Sequence, residues 1–343
     1  MIDLKKRGQR AISDDPGSSP LPPMTLDDAR QALARGNLQK ADILARMALD
    51  HDAADCDAHA VIDEIARRAG IAGMGRYPDA RPRHLLIKAW GAGFWSDLDH
   101  VLGALLVAEL TRRVPVVRWG TNSRYRDPGD DDAFGNFFAP VSAARLDDLQ
   151  RAESFFPQKW SRDNLRAEDL AKWSGAGSRL SGLHFLGRAE DVLVSDFHIS
   201  VNDLLPWIPP GHRLHGLPLA AVYRRIFTEN IQLLPALARS IDEIWNTRMA
   251  GRQWLAVHVR GTDKIREAPA LWRINADYHR IIDGILATNP GLGLFLLTDS
   301  SAVAAEFRAK WGAGVMTNDF RRADGATGLH MEGAPGTRLG REI

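Results

Sequence analysis

What most restricts the fold is one order of segments that the chain uses twice: a short apolar strand, a turn, an amphipathic helix and a second apolar strand. In the first instance His84 to Trp90 reads as a buried strand, Gly91-Ala92-Gly93 as a turn, Asp97 to Arg112 as a helix and Val114 to Trp119 as the next strand. The helix is drawn from Leu98, Val101, Leu102, Leu105, Leu106 and Leu110, which recur at helical spacing. Strand, helix and strand in this order make a βαβ unit, which implies a parallel sheet. In the second instance a helix from Pro218 to Asn246 leads to the strand Trp254 to Val259. A helix from Asn275 to Ala287 then leads to the strand Gly293 to Leu297, and Ser301 to Trp311 reads as a further helix. A chain of 343 residues is long for one ordinary core. Two α/β domains with a crevice between them fit both length and pattern. Leu146 to Gly187 has mixed polarity and receives no element.

Ahead of these units the sequence changes character. Met1 to Pro23 is basic and interrupted by Gly and Pro, without the apolar stretch of a secretory signal, and is expected to be a disordered leader. From Thr25 to Ala69 apolar residues recur at helical spacing, Thr25 with Asp28 supplies an N-cap, and Gly36-Asn37 and the Asp50 to Asp57 stretch break the pattern. Two or three short antiparallel helices are expected. Their order resembles one tetratricopeptide unit and the start of a second, fewer than a solenoid needs. Such a module serves either as a docking surface, for a partner or for self-association, or as a cap on the main domain. Gly73 to Pro82 marks a boundary, and the expected division is residues 1–23, 24–75, 80–217 and 218–343.

Charge and cysteine content exclude several classes of function. Lys and Arg total 44 against 43 acidic residues, so no positive field draws in nucleic acid. Cys56 is the only cysteine, which rules out an intrachain disulfide and a cysteine-built zinc site and fits a reducing compartment, with the cytoplasm as the expected location. The longest apolar run, around Gly103 to Leu110, is too short to cross a bilayer.

The densest chemistry lies in His258-Val259-Arg260-Gly261-Thr262-Asp263-Lys264, which starts at the end of an apolar strand and runs into a loop. Ligands bind at such strand ends in open α/β sheets. Charges next to a core are costly unless matched, so packing alone does not explain the cluster. A solvated turn held by an Arg–Asp pair is the plain alternative.

The same heptapeptide resembles the first motif of the α1,6- and protein O-fucosyltransferase superfamily, in which a strand ends in His-x-Arg-Arg, followed in the α1,6 branch by Thr-Asp-Lys. The resemblance implies a GT-B-like pair of Rossmann-type domains and transfer of a sugar, with fucose as the family's example, from a nucleoside diphosphate donor, GDP-linked first, to a glycan, lipid or protein acceptor. No metal or other cofactor is implied. By resemblance, Arg260 would clamp the donor β-phosphate, with His258 and Asp263 beside the nucleotide, and a guanidinium fork stabilises a departing diphosphate without a metal. Gly261 stands where the family has a second arginine. Thr298-Asp299-Ser300 resembles the family's Thr-Asp-Asp, with Asp299 retained at the donor. Gly328-Leu329-His330 resembles its Gly-Leu-His, which assigns His330 to the donor. Gly91-Ala92-Gly93 with Leu98-Asp99-His100-Val101 resembles its glycine turn and Leu-His-His-Val helix start, which assigns Gly91, Gly93 and His100 likewise. Lys264 matches a lysine implicated in activating the acceptor. Glu267 lies three residues after it, where the family's glutamate lies four, and is the candidate general base. Arg338 to Ile343 resembles the entry to a helix that precedes further family elements, so the chain is expected to be a truncated or interrupted reading frame whose C-terminal domain is incomplete and whose donor binding is weak.

Two other classes compete. Gly91-x-Gly93-x-x-Ser96 approaches a dinucleotide fingerprint, but the next strand ends in Val117, Arg118 and Trp119 with no acid for a ribose, which argues against an NAD(P)-dependent oxidoreductase. The missing second arginine gives weight to a non-catalytic binding protein on the same scaffold. His198, His212 and His215, with Asp196 and Asp203 nearby, match no metal spacing and read as loop residues. Asp130 to Asp132 reads as a solvated loop. Trp90 and Trp119 read as packing, whereas Trp95 faces the expected crevice.

Overall fold

In a computed structural model, the described residues are 25–169, 172, 178–262, 271–325 and 336–342. The chain divides into two compact units, Met1–Ala72 and Gly73–Ile343.

The first unit holds three helices, α1 (Leu26–Ala34), α2 (Leu38–His51) and α3 (Cys56–Arg68). Each start is set by a side-chain cap. At α1 the Thr25 hydroxyl accepts from the Asp28 N–H, and the Asp28 carboxylate accepts from the Thr25 N–H at 2.8 Å. Asn37 and Asp55 cap α2 and α3. Gly36, at φ +76°, reverses the chain between α1 and α2 where a side chain would be strained. The core of Ala29, Ala32, Leu33, Ala41, Leu44, Ala45, Ala58, Val61 and Ile65 is rich in alanine, so the helices approach closely.

The second unit contains two parallel sheets, so the chain is an α/β protein. The first is built from β1 (His84–Lys88), β2 (Val114–Arg118), β3 (Phe155–Phe156) and β4 (Val192–Ser195), in the spatial order β2-β1-β4-β3. Between β1 and β2 runs α4 (Phe94–Leu110), which packs against both. On one face of the sheet Leu86, Val116, Val192 and Val194 form a core with Leu149, Trp160 and Leu165. Among the described residues of the segment without sequence periodicity, Leu149, Trp160 and Leu165 thus cover a sheet face, with short 3₁₀ turns at Leu146–Arg151 and Gly182–Phe185 in place of a helix. β4 was not anticipated. Its Val192-Leu193-Val194 core is fully buried, but three apolar residues are too short a run to declare a strand.

After β4 come α5 (Val201–Leu204), α6 (Leu219–Asn230) and α7 (Pro235–Ile244). The single helix expected from Pro218 to Asn246 is thus two. Pro235 begins the second, and the link between them pairs with the first half of the unit, Leu234 N–H to Phe137 O and Ala139 N–H to Gln232 O. The second sheet, in the order β5-β6-β7, contains β5 (Trp254–Val259), β6 (Gly293–Thr298) and β7 (Val315–Thr317). It is crossed by α8 (Leu271–Thr288) and α9 (Ser301–Trp311), and α10 (Thr337–Glu342) follows. Val257, Val259, Leu294 and Leu296 pack with Ile282 of α8 and with Ala304 and Phe307 of α9. Among the described residues no helix is long and apolar enough to cross a membrane.

Candidate functional site

Along β5 the side chains alternate. Val257 and Val259 are buried, so Ala256 and His258 point out of the core and are exposed. Arg260 follows at the carboxyl end of the strand. Its backbone carbonyl accepts from the Asn275 amide of α8 at 2.9 Å, and one guanidinium nitrogen lies 3.5 Å from Asp299 Oδ2. Asp299 stands at the end of the neighbouring strand because β5 and β6 run in register, with Val259 opposite Thr298. The same carboxylate accepts from the Gly261 N–H at 3.1 Å and from the hydroxyl of the buried Thr262 at 2.7 Å. One anion therefore fixes the loop backbone and orients the cation, while a third of the Arg260 side chain stays exposed. Although His258 is exposed, partial loss of water around its ring, reinforced by Arg260 and opposed by Asp299, pushes the imidazole below its usual range.

Gly261 has no room for a side chain. A Cβ there would sit 2.5 Å from Ser300 Cβ and 2.8 Å from Val303 Cγ2, at the start of α9, where the Ser300 hydroxyl caps the helix by accepting from the Val303 N–H.

At the end of β1 the glycine turn is organised from the opposite direction. Asp97, one turn into α4, reaches back so that its Oδ1 accepts from the N–H groups of Trp90, Gly91 and Ala92 at 3.1, 3.0 and 3.4 Å. Gly91 supplies the φ of +90° that aims them inward. Asp97 is fully buried. Burial pushes its carboxyl up to about 6 against the lowering effect of those amides. A dinucleotide fingerprint needs turn amides free to meet a pyrophosphate, and here the three are bonded to a carboxylate. His100 is also fully buried. Its Nδ1 accepts from the Ile199 N–H at 3.1 Å, and burial pushes it down to about 3. Trp95 is 60% exposed beside the turn, and Gly93 precedes α4 as its N-cap.

These two strand-end loops are within electrostatic reach of one another. The Tyr125 hydroxyl, pushed up to about 12 mainly by burial, bonds the Phe94 N–H at 2.6 Å and feels the charge of Arg260. Of the residues expected at the site, His258, Arg260 and Asp299 come together on adjacent strand ends, and Gly91, Gly93 and His100 lie at the end of β1 and in α4. Asp263, Lys264, Glu267 and His330 lie outside the described residues.

Several polar residues acquire partners that no local pattern announced. His198, expected as a plain loop residue, bonds Asp99 Oδ2 through Nε2 at 2.9 Å, and the Tyr223 hydroxyl donates to Asp99 Oδ1 at 2.6 Å. Asp99 and Tyr223 are far from His198 in sequence, so spacing could not reveal the set. His212 pairs with Glu109, and His215 with the Ile208 carbonyl. The acidic run is not simply solvated. Asp131 pairs with Arg118 at 2.8 Å, and Asp132 accepts from the Trp119 and Phe134 N–H groups. Lys88, at the end of β1 and fully buried, donates to the carbonyls of Leu165 and Ala167. Burial pushes it down to about 8 although Glu168 lies 3.7 Å away.

Neither known family models nor curated proteins match the sequence. Among solved structures, the chain is similar to NodZ α1,6-fucosyltransferase co-crystallised with GDP, at 19% identity and a TM-score of 0.47 over 70% of this chain and 79% of that one. The same protein soaked with GDP-fucose matches at 18% identity and a TM-score of 0.45 over the same shares. Selenomethionyl NodZ from Bradyrhizobium matches at 18% identity and 0.47, over 77% and 81%. Likeness at this level fixes neither activity nor substrate.

Proposed function

We propose that the chain is a glycosyltransferase that takes a sugar from a nucleoside diphosphate donor, GDP-linked in preference to UDP- or ADP-linked, with Arg260 as the group that holds the diphosphate. The observation that carries this reading is the placement of Arg260 at a parallel strand end, one third exposed and 3.5 Å from Asp299 Oδ2. As the anomeric carbon leaves, negative charge builds on the β-phosphate oxygen, and a guanidinium already held in place stabilises it without reorganising. His258, neutral and on the open side of β5, is suited to contact the nucleotide without adding charge. Fucose as the sugar and a glycan, lipid or protein as the acceptor remain part of the proposal through the motif resemblance. No metal is assigned a role. Titration calorimetry of the complete chain with GDP, UDP and ADP tests the reading. Binding of GDP ahead of the others is expected, and no heat with any of the three would refute it.

A further inference from the structure

Loop 196–200, between β4 and α5, leaves the carboxyl end of a strand of the first sheet, the edge that carries Trp90 and the Gly91 turn. Its backbone is fixed to α4 at two points. The Ile199 N–H donates to His100 Nδ1, and Ile199 O approaches Gly103 so closely that a Cβ there would lie 2.1 Å away. His198, the residue before, is therefore held rigidly, with its imidazole 5.4 Å from the Trp90 ring, centroid to centroid. Its Nε2 faces the Asp99 carboxylate at 2.9 Å. That carboxylate is occupied on its other oxygen by Tyr223. Burial raises the Asp99 carboxyl, but the bonds from His198 and Tyr223 outweigh it and hold the group below the ordinary carboxylate range, so Asp99 is an anion at neutral pH. Nε2 consequently carries the proton, and Nδ1 is the basic nitrogen. The His198 side chain is 31% exposed, enough for a hydroxyl to reach it.

We propose that His198, in place of the Glu267 that the motif resemblance suggests, is the base that takes the proton from the acceptor hydroxyl, with Asp99 and Tyr223 as positioning residues, an inference that rests on the donor reading above. His198 stands at the carboxyl edge of the first parallel sheet as Arg260 stands at that of the second, and its Nε2 bonds Asp99 of α4. In the step, the acceptor oxygen forms its bond to the anomeric carbon as the bond from that carbon to the β-phosphate oxygen breaks. The released electron pair leaves on the nucleoside diphosphate beside Arg260. The acceptor proton passes to Nδ1 of His198, Asp99 stabilises the imidazolium, and the proton is lost to water after product departs.

The test uses the full chain with GDP-fucose and GDP-mannose, water standing in for the acceptor. It reads GDP release, and GDP affinity by calorimetry in parallel. The expected results are GDP binding and slow release by the parent chain, release reduced roughly a hundredfold or more in His198→Gln, and GDP affinity within twofold. Asp99→Asn should be as slow, because its amide donates to Nε2 and moves the imidazole proton to Nδ1, a change visible in the ¹⁵N shifts of His198. Imidazole in the buffer should restore part of the release in His198→Gly. Undiminished release by His198→Gln, or loss of its GDP binding, overturns the base assignment. So does a parent chain that binds GDP but releases none from either sugar nucleotide. A parent chain that binds no nucleotide removes the donor reading itself.

Discussion

Two carboxylates, Asp97 and Asp299, each shape the loop at the end of a parallel strand, and they do it differently. Asp97 belongs to a helix, is fully buried, and spends one oxygen on three amides of its own turn. Asp299 belongs to a strand end, remains partly exposed, and divides its oxygens among an amide, a hydroxyl and a guanidinium of the neighbouring loop. The first arrangement closes a turn and leaves nothing for a ligand. In the second, the Arg260 guanidinium lies 3.5 Å from Asp299, longer than the loop's own 3.1 and 2.7 Å bonds to that carboxylate, and on the proposed reading it is this cation that a diphosphate would share. A strand-end position alone does not distinguish structural from functional loops. On the proposed reading, the partners of the organising anion do.

The sharpest way to break the comparison is to remove each anion's partner set. Asp97→Ala leaves three amides without an acceptor, at roughly 1–3 kcal/mol for each that stays buried. Urea unfolding should show a loss of several kcal/mol, and an unchanged midpoint would mean that the turn is held by other contacts. Arg260→Ala should leave the unfolding midpoint near the parent value while weakening GDP binding by roughly 10- to 100-fold, as expected for one charge-assisted bond. Equal GDP affinity in calorimetry would remove the phosphate role.

Smaller effects sharpen the contrast further. Gly261→Ala forces Cβ against Ser300 and Val303 and should cost roughly 1–3 kcal/mol in urea unfolding. Adding Ser300→Gly should recover part of it, and a double variant no better than the single would contradict the packing account. The smallest effect at neutral pH is expected from His100→Asn, whose Oδ1 can still accept from the Ile199 N–H. Folded His100 is pushed down to about 3 from an ordinary 6.5. Between those values the unfolded chain binds more protons, so the parent loses stability as pH falls from 6.5. Asp97 contributes the opposite slope between 3.8 and about 6, since its folded carboxyl binds the proton more tightly. The difference between variant and parent isolates His100. It should be near zero at pH 7.5 and favour the variant at pH 5, and parallel curves would contradict it.

Much of this was legible in the sequence where periodicity was long. α4, α9, β5 and β6 fall within a few residues of their expected positions because each carries a run of apolar residues at one period. Arg260 and Asp299 were legible because each ends such a run. Three kinds of feature were not. β4 is too short to carry a period. Residues 146–169 cover a sheet face through irregular turns whose partners, such as Lys88 with Leu165 and Ala167, lie about 80 positions away. The His198–Asp99–Tyr223 set is assembled from three elements, so no spacing rule applies.

The tight seat of Gly261 also constrains how this loop can change over generations. A loop resembling a two-arginine pattern cannot regain its second arginine through one substitution at position 261, because any side chain there meets Ser300 and Val303 before it meets a ligand. Space must first open at the start of α9, and a change there alone brings no benefit to the cation count. Positions 261, 300 and 303 are therefore expected to vary together, with the order of substitutions fixed. Packing at the start of α9 thus keeps position 261 a glycine, whatever the loop binds.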